Sequence, residues 1–164
     1  MLLLDHDKIN RKIKRIAIQI LEQNYQENEI ILAGINNNGS AFAQLLYNEL
    51  SQITDKDITL TRIRLNPADP VSKDVALELT PAYFKEKAVI IVDDVANTGR
   101  TILYAIKPLL TVIPKKIEIA VLVDRKHKSY PVQVDYVGLS LATTLQEDIE
   151  VNLSNNENFE VHLN

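Results

Sequence analysis

"AVIIVDDVANTGRT", residues 88–101, sets the terms on which the rest of the chain is read. Ala88 to Val92 is an unbroken run of mostly branched apolar residues, the pattern of a strand buried on both faces. It ends at two adjacent carboxylates, Asp93 and Asp94. Val95, Ala96 and Asn97 then lead to Thr98-Gly99-Arg100-Thr101, where helical spacing begins and continues from Thr101 to Leu110, ending near Val112.

A strand that turns into a helix exposes unpaired, partly positive N–H groups at the helix start, and these suit a phosphate. Gly99 allows close backbone approach there, and Thr98 and Thr101 add hydroxyl donors. The two acids cannot bind the same phosphate. They suit sugar hydroxyls, or a magnesium ion held through water. Acids beside a phosphate cradle point to a ribose phosphate. The lysine-bearing loop of NTPases and the spaced glycines of dinucleotide binders are both missing.

Working outward, Ile9, Ile13, Ile16, Ala17, Ile20 and Leu21 recur at helical spacing, with Lys8, Arg11, Lys12 and Arg15 on the opposite face. "EIILAG" (29–34) predicts a buried strand, Gly39 to Leu50 a helix, and "DITLTRIRL" (57–65) another strand. "KAVIIV" (87–92) and "IEIAVLV" (117–123) predict two more, with shorter candidates at 132–137, 149–153 and 158–162. Residues 66–82 hold Pro67, Pro70 and Pro81 without periodicity, which predicts a long loop of the kind that serves function. Strands apolar on both faces, alternating with helices, imply an α/β fold with a mainly parallel sheet flanked by helices, as one domain over residues 1–164. Ligands in such sheets bind beyond the carboxyl ends of the strands, where "AGINNNGS" (33–40) and "VDDVANTGRT" (92–101) both fall.

Composition excludes several alternatives. With no cysteine, disulfides, thiolate zinc sites and cysteine nucleophiles are ruled out. A net charge of -4 argues against nonspecific nucleic-acid binding. No apolar run approaches the roughly 18–20 residues that cross a bilayer, and the N-terminus lacks the pattern of a signal peptide, so a cytoplasmic protein with no membrane partner is expected.

"VIIVDDVANTGRT" resembles the phosphoribosyl-pyrophosphate signature of type I phosphoribosyltransferases: an apolar strand, two acids, a short loop, then Thr-Gly-x-Thr. Within that superfamily the likeness is to the bifunctional pyrimidine-operon attenuation regulators with uracil phosphoribosyltransferase activity. It is carried also by "IEIAVLVDRKHKSYPVQVDYVGLSLATT" (117–144) and by "RIAIQILEQN" followed by "IILAGINNNGSAFAQLL". The resemblance implies that Asp93 and Asp94 bind the ribose hydroxyls and magnesium, the latter through water. It implies that Val95, Ala96, Asn97, Thr98, Gly99, Arg100 and Thr101 wrap the five-prime phosphate. Ile35, Asn36, Asn37, Asn38 and Gly39 would face pyrophosphate, and residues 66–82 would form a hood that excludes water. Phosphoribosyl pyrophosphate and a nucleobase, or a nucleoside monophosphate, would be the ligands, and a homo-oligomer the assembly. Such catalysis needs no protein nucleophile, consistent with the lack of a Ser/His/Asp set.

The chain departs from the family pattern at three places. Asn36-Asn37-Asn38 stands where basic residues are expected before the glycine. Amides bind an anion more weakly than charged donors, so Arg62 or Arg64 would have to supply charge. Leu139 and Gln133 replace basic residues, leaving Arg125, Lys126, His127 and Lys128. RNA attenuation is thereby less favoured than nucleobase transfer. Asn97 replaces the acid that purine-using relatives carry, which favours a pyrimidine acceptor. The expected function is transfer of ribose 5-phosphate to a nucleobase, uracil first. A nucleotide-sensing regulator that uses the same site with little turnover is the alternative.

Overall fold

The computed structural model describes residues 1–144 and 146–164. In chain order, β1 (Leu2–Leu4) precedes α1 (His6–Gln23), β2 (Glu29–Ile35), α2 (Asn36–Ile53), β3 (Asp57–Arg64) and β4 (Ala76–Leu77). There follow β5 (Ala88–Ala96), α3 (Arg100–Ile106), β6 (Lys116–Arg125), β7 (Tyr136–Leu141), β8 (Ile149–Asn152) and β9 (Glu160–Leu163).

Six strands form one sheet in the order β4-β3-β2-β5-β6-β7. All neighbours are parallel except β3 and β4. Side chains alternate across the strands with a period of two, so the continuous apolar runs fill two cores. Ile30, Leu32, Ile90, Val92, Ala120 and Leu122 face α1 and α2, meeting Ile13, Ile16, Phe42 and Leu46. Ile31, Ala33, Val89, Ile91, Ile119 and Val121 face the other way, toward Phe84, Ile102, Ala105 and Leu109. The expected sheet, parallel and covered on both faces, is therefore what the chain builds. The first helix is capped as its sequence allows: Asp5 accepts from the Lys8 N–H at 2.9 Å.

Several boundaries differ from expectation, each for a physical reason. β5 does not stop at Val92. It stays paired with β6 as far as Ala96 opposite Asp124, so both acids lie within the strand. α2 begins at Asn36, so the asparagines form its first turn instead of a preceding loop. α3 gives way to a tighter 3₁₀ turn at Lys107–Thr111, where Pro108 has no N–H to continue an α-helix. The strand expected over 132–137 begins only at Tyr136. Val132 closes a turn onto the Tyr130 carbonyl, and Val132 and Val134 pack on the core without ladder partners. Residues 66–82 carry some regular structure: β4 pairs with the end of β3, Ile63 opposite Leu77, and a 3₁₀ turn starts at Pro81.

A second sheet, in the order β1-β9-β8, joins the two ends of the chain. Leu163 N–H donates to the Met1 carbonyl at 2.8 Å. Leu4, Ile149, Leu153, Phe159 and Val161 share an apolar cluster with α1, which anchors this sheet beside the main one. Among the described residues no helix is long and apolar enough to cross a membrane.

Candidate functional site

β2 and β5 are neighbours, yet the chain leaves β2 toward β3 on one side and leaves β5 toward β6 on the other. Between two such strands the connections part, and a crevice opens beyond their carboxyl ends. Both stretches singled out in the sequence arrive at that point. A cleft of about 450 Å³ is lined by Ile35 to Asn38 on one wall and by Asp93, Asp94, Val95, Asn97 and Thr101 on the other. Pro67 and Ile149 complete it.

The first wall depends on two close fits. A Cβ on Gly39 would stand 2.6 Å from the Val92 carbonyl oxygen and 3.2 Å from Asp93 Oδ1, so only glycine lets α2 start this near β5. Asn36 takes a left-handed φ of 52°, which asparagine accepts better than most residues. Its side chain is committed: Nδ2 donates to the Leu65 carbonyl at 2.9 Å and Oδ1 accepts the Leu65 N–H at 3.0 Å. Asn37 and Asn38 are exposed. Arg62 reaches this wall, donating to Asn37 Oδ1 at 3.4 Å. Arg64 lines a neighbouring cavity together with Asn36 and Asn37 of this wall and with Lys73 and Asp74.

On the second wall, Asp93 is only 8% exposed, and burial, reinforced by the Asp94 charge, pushes its carboxyl well above the usual carboxylate range. Asp93 Oδ1 accepts the Asp94 N–H at 2.9 Å, and Asp94 Oδ1 accepts the Val95 N–H at 2.8 Å. Beyond them Gly99 turns the chain with a φ of 89°. Residues 95–101 enclose a small hollow that opens beside Asp93. The turn is buttressed from outside: the Thr98 carbonyl accepts N–H groups of Ser129 and Tyr130 at 3.0 and 3.2 Å. Arg100 donates to the Pro67 carbonyl at 2.7 Å, tying the turn to the long loop.

The basic run is less free than its sequence implies. Lys128 pairs with Asp124 at 2.7 Å, and Arg125 hydrogen-bonds within the protein. Among the described residues no group of three or more His, Cys, Asp or Glu is placed to hold a metal. Among the described residues lining the main cleft, Asp93 and Asp94 are the carboxylates that could hold one. That suits magnesium, which keeps several waters and takes one or two carboxylates alongside substrate phosphates.

One wall was not foreseen. Asn37, Asn38, Ala41 and Asp94 face Glu150 to Ser154 across a further cleft of about 350 Å³. The expected strand at 149–153 is present, but its place at the site depends on pairing with β9 and, through it, with β1 at the opposite end of the chain.

The phosphoribosyl transferase domain model matches residues 2–153, and the chain belongs to the type I phosphoribosyltransferase family. Members of that family bind phosphoribosyl pyrophosphate and a nucleobase or nucleotide. A relative from Streptococcus gordonii, described as bifunctional protein PyrR, is 36% identical over 92% of this chain and 89% of its own. One of the same description from Fusobacterium nucleatum is also 36% identical, over 93% and 90%. Among solved structures, the hypoxanthine phosphoribosyltransferase of Trypanosoma cruzi superposes with a TM-score of 0.78 at 17% identity, over 98% of this chain and 94% of that one. A hypoxanthine-guanine phosphoribosyltransferase from Bacillus anthracis gives 0.72 at 21%, over 85% and 81%. These two show a shared fold.

Proposed function

We propose that this phosphoribosyltransferase moves ribose 5-phosphate from phosphoribosyl pyrophosphate to uracil, releasing pyrophosphate, at the crevice between β2 and β5. The observation that carries the reading is the meeting, in one cleft, of the Asp93–Asp94 pair with the Asn97–Thr101 turn. The acids accept from the ribose hydroxyls, and the turn surrounds the five-prime phosphate. The Asn36–Gly39 turn faces pyrophosphate, assisted by Arg62. Asp93 and Asp94 would hold magnesium through water, and that ion supplies neutralisation of the departing pyrophosphate. The chain's own part is to orient the sugar, keep water out beneath Pro67 and the 66–82 loop, and leave the anomeric carbon open to the acceptor. Uracil as acceptor is supported by the relatives' likeness and by the lack of an acid at Asn97. The reading takes residues 1–164 as one domain, supported by the apolar cluster that both sheets share, in a cytoplasmic homo-oligomer.

The second reading is a nucleotide-sensing regulator that keeps the sugar-phosphate site with little turnover. It is favoured by the uncharged Asn36–Asn38 turn, in which Asn36 is already engaged by Leu65. RNA attenuation ranks below both, since Arg125 and Lys128 already have partners within the protein. Pyrophosphate release from phosphoribosyl pyrophosphate, dependent on both uracil and magnesium, tests the choice. Release establishes the transferase; nucleotide binding without release under any nucleobase establishes the sensor.

A further inference from the structure

Asn36 and Asn37 line the main cleft, and they also line a second cavity of about 400 Å³. The rest of that cavity comes from the hairpin that joins β3 to β4. Arg64 stands opposite Ala76 in the short ladder, so the chain just before Ala76 returns beside Arg64. The loop between them is folded. Ser72 donates to the Asp69 carbonyl from its N–H at 3.2 Å and from Oγ at 2.8 Å, and Arg100 holds the Pro67 carbonyl.

Two cations, Arg64 and Lys73, face this space. Among the described residues neither side chain makes a hydrogen bond or a salt bridge, and Asp74, which also lines the cavity, pairs with neither. Guanidinium and ammonium groups only donate. Two amides add to them. Asn37 Oδ1 accepts from Arg62 at 3.4 Å and Asn66 Oδ1 accepts the Ala68 N–H at 3.0 Å, while among the described residues no hydrogen bond uses either NH₂. Free donors from four side chains thus meet a single carboxylate, in a chain whose net charge is -4. A phosphate group, which accepts on several oxygens, fits that lining.

Asn36 divides this cavity from the main cleft. Its side chain is bonded to both the N–H and the carbonyl of Leu65, and the two residues together line the cavity. We infer that the cavity is a second anion site, which takes a free phosphate-bearing anion alongside the substrate in the main cleft, with Arg64 and Lys73 as its charged donors. A diphosphate reaching over the asparagine turn from the main cleft would offer the same chemistry. The Asn36–Leu65 partition favours the free anion, and the test separates the two.

The test is titration of isotope-labelled full-length protein with inorganic phosphate, followed amide by amide in NMR spectra. Saturating UMP fills the hollow at residues 95–101 beforehand. The amides of Asn66, Lys73 and Ala76 should shift saturably. Lys73→Ala, in an exposed stretch of the loop, should weaken this binding by about tenfold, as one charge-assisted bond is lost. Asp74→Asn should tighten it several-fold. Lys14→Ala removes the same charge from an exposed position on α1 and should leave the midpoint within about twofold. With phosphoribosyl pyrophosphate and magnesium in place of UMP, and no nucleobase, the shifts and their midpoint should persist.

Phosphate that moves only the amides of residues 37–39 or 93–101 would overturn the proposal. Equal weakening by Lys73→Ala and Lys14→Ala would also overturn it, since that marks a diffuse field in place of a site. Displacement of phosphate by phosphoribosyl pyrophosphate would assign the cavity to the substrate's own diphosphate and overturn the separate site. The transferase reading is judged apart: if UMP does not bind, phosphate entering the hollow is seen at residues 95–101, and that reading fails while the shifts at Asn66, Lys73 and Ala76 still stand or fall by themselves.

Discussion

Asn36 and Leu65 exchange two hydrogen bonds, side-chain amide to carbonyl at 2.9 Å and backbone N–H to side-chain oxygen at 3.0 Å. The asparagine thus imitates one more rung of the β2–β3 ladder, just past the last backbone pair of Ile35 and Ile63. It locks the first turn of α2 to the start of the long loop, at a backbone angle of φ 52°. Asn36→Ala removes both bonds and strains the backbone, and should cost about 1–3 kcal/mol. Asn36→Gly loses the bonds but relaxes the angle and should cost less. Thermal or urea unfolding of the two variants separates the contributions; equal stability of all three proteins would show that the clasp is idle.

Asp93 should make the fold less stable at neutral pH than it need be. Its carboxyl is raised by burial and by Asp94. An acid raised in the folded state supports the fold fully below its ordinary value of 3.8, and that support is lost as pH rises through the raised value. Asp93→Asn keeps an oxygen for the Asp94 N–H and removes the buried charge. Its melting temperature should exceed wild type by a few degrees, about 2–4 °C per kcal/mol gained, at pH 8, and the gain should shrink toward pH 4. A variant less stable than wild type at pH 8 would contradict this. A site acid held against the preference of the fold is the usual mark of function set above stability.

The uncharged first turn of α2 limits attraction for pyrophosphate. Asn38 is exposed and makes no side-chain hydrogen bond among the described residues, whereas Asn37 accepts from Arg62. Asn38→Arg should therefore tighten phosphoribosyl pyrophosphate binding by about tenfold, as a charge-assisted bond replaces a neutral one, and the gain should fade with salt. Asn37→Arg should gain less, because it sets two guanidinium groups together. Titration at low and high ionic strength checks both.

Arg100 joins the turn at Gly99 to the Pro67 carbonyl across the mouth of the cleft. Arg100→Ala should free the loop: limited proteolysis between residues 66 and 75 should speed up several-fold while the melting temperature moves by no more than about 2 °C. Cleavage at the wild-type rate would show that the loop is held by other means.

Much of this arrangement could be read from residue order alone. β2, β5 and β6 were legible because strands buried on both faces are continuously apolar, and Gly99 with its flanking threonines marked the turn after β5. The end of β5 was not legible, because ladder bonds to β6, and not polarity, decide where a strand stops. Val132 and Val134 alternate like a strand yet lie outside any ladder, for packing on a core edge leaves the same trace as pairing. The role of Glu150 to Ser154 was hidden for a different reason: their position follows from contacts between residues at opposite ends of the chain, which no local pattern records. Arg125 read as part of a basic surface run, whereas its partners are two carbonyls, a threonine and an asparagine from separate segments.

The most direct test of the ribose-phosphate site is isothermal titration with phosphoribosyl pyrophosphate and magnesium, on wild type and on the Asp93→Asn/Asp94→Asn double variant. The account predicts saturable binding to wild type that requires magnesium, and loss of at least about a hundredfold in affinity when both carboxylates are amides. Equal binding by the two proteins, or no binding of phosphoribosyl pyrophosphate or any nucleotide by wild type, would contradict it.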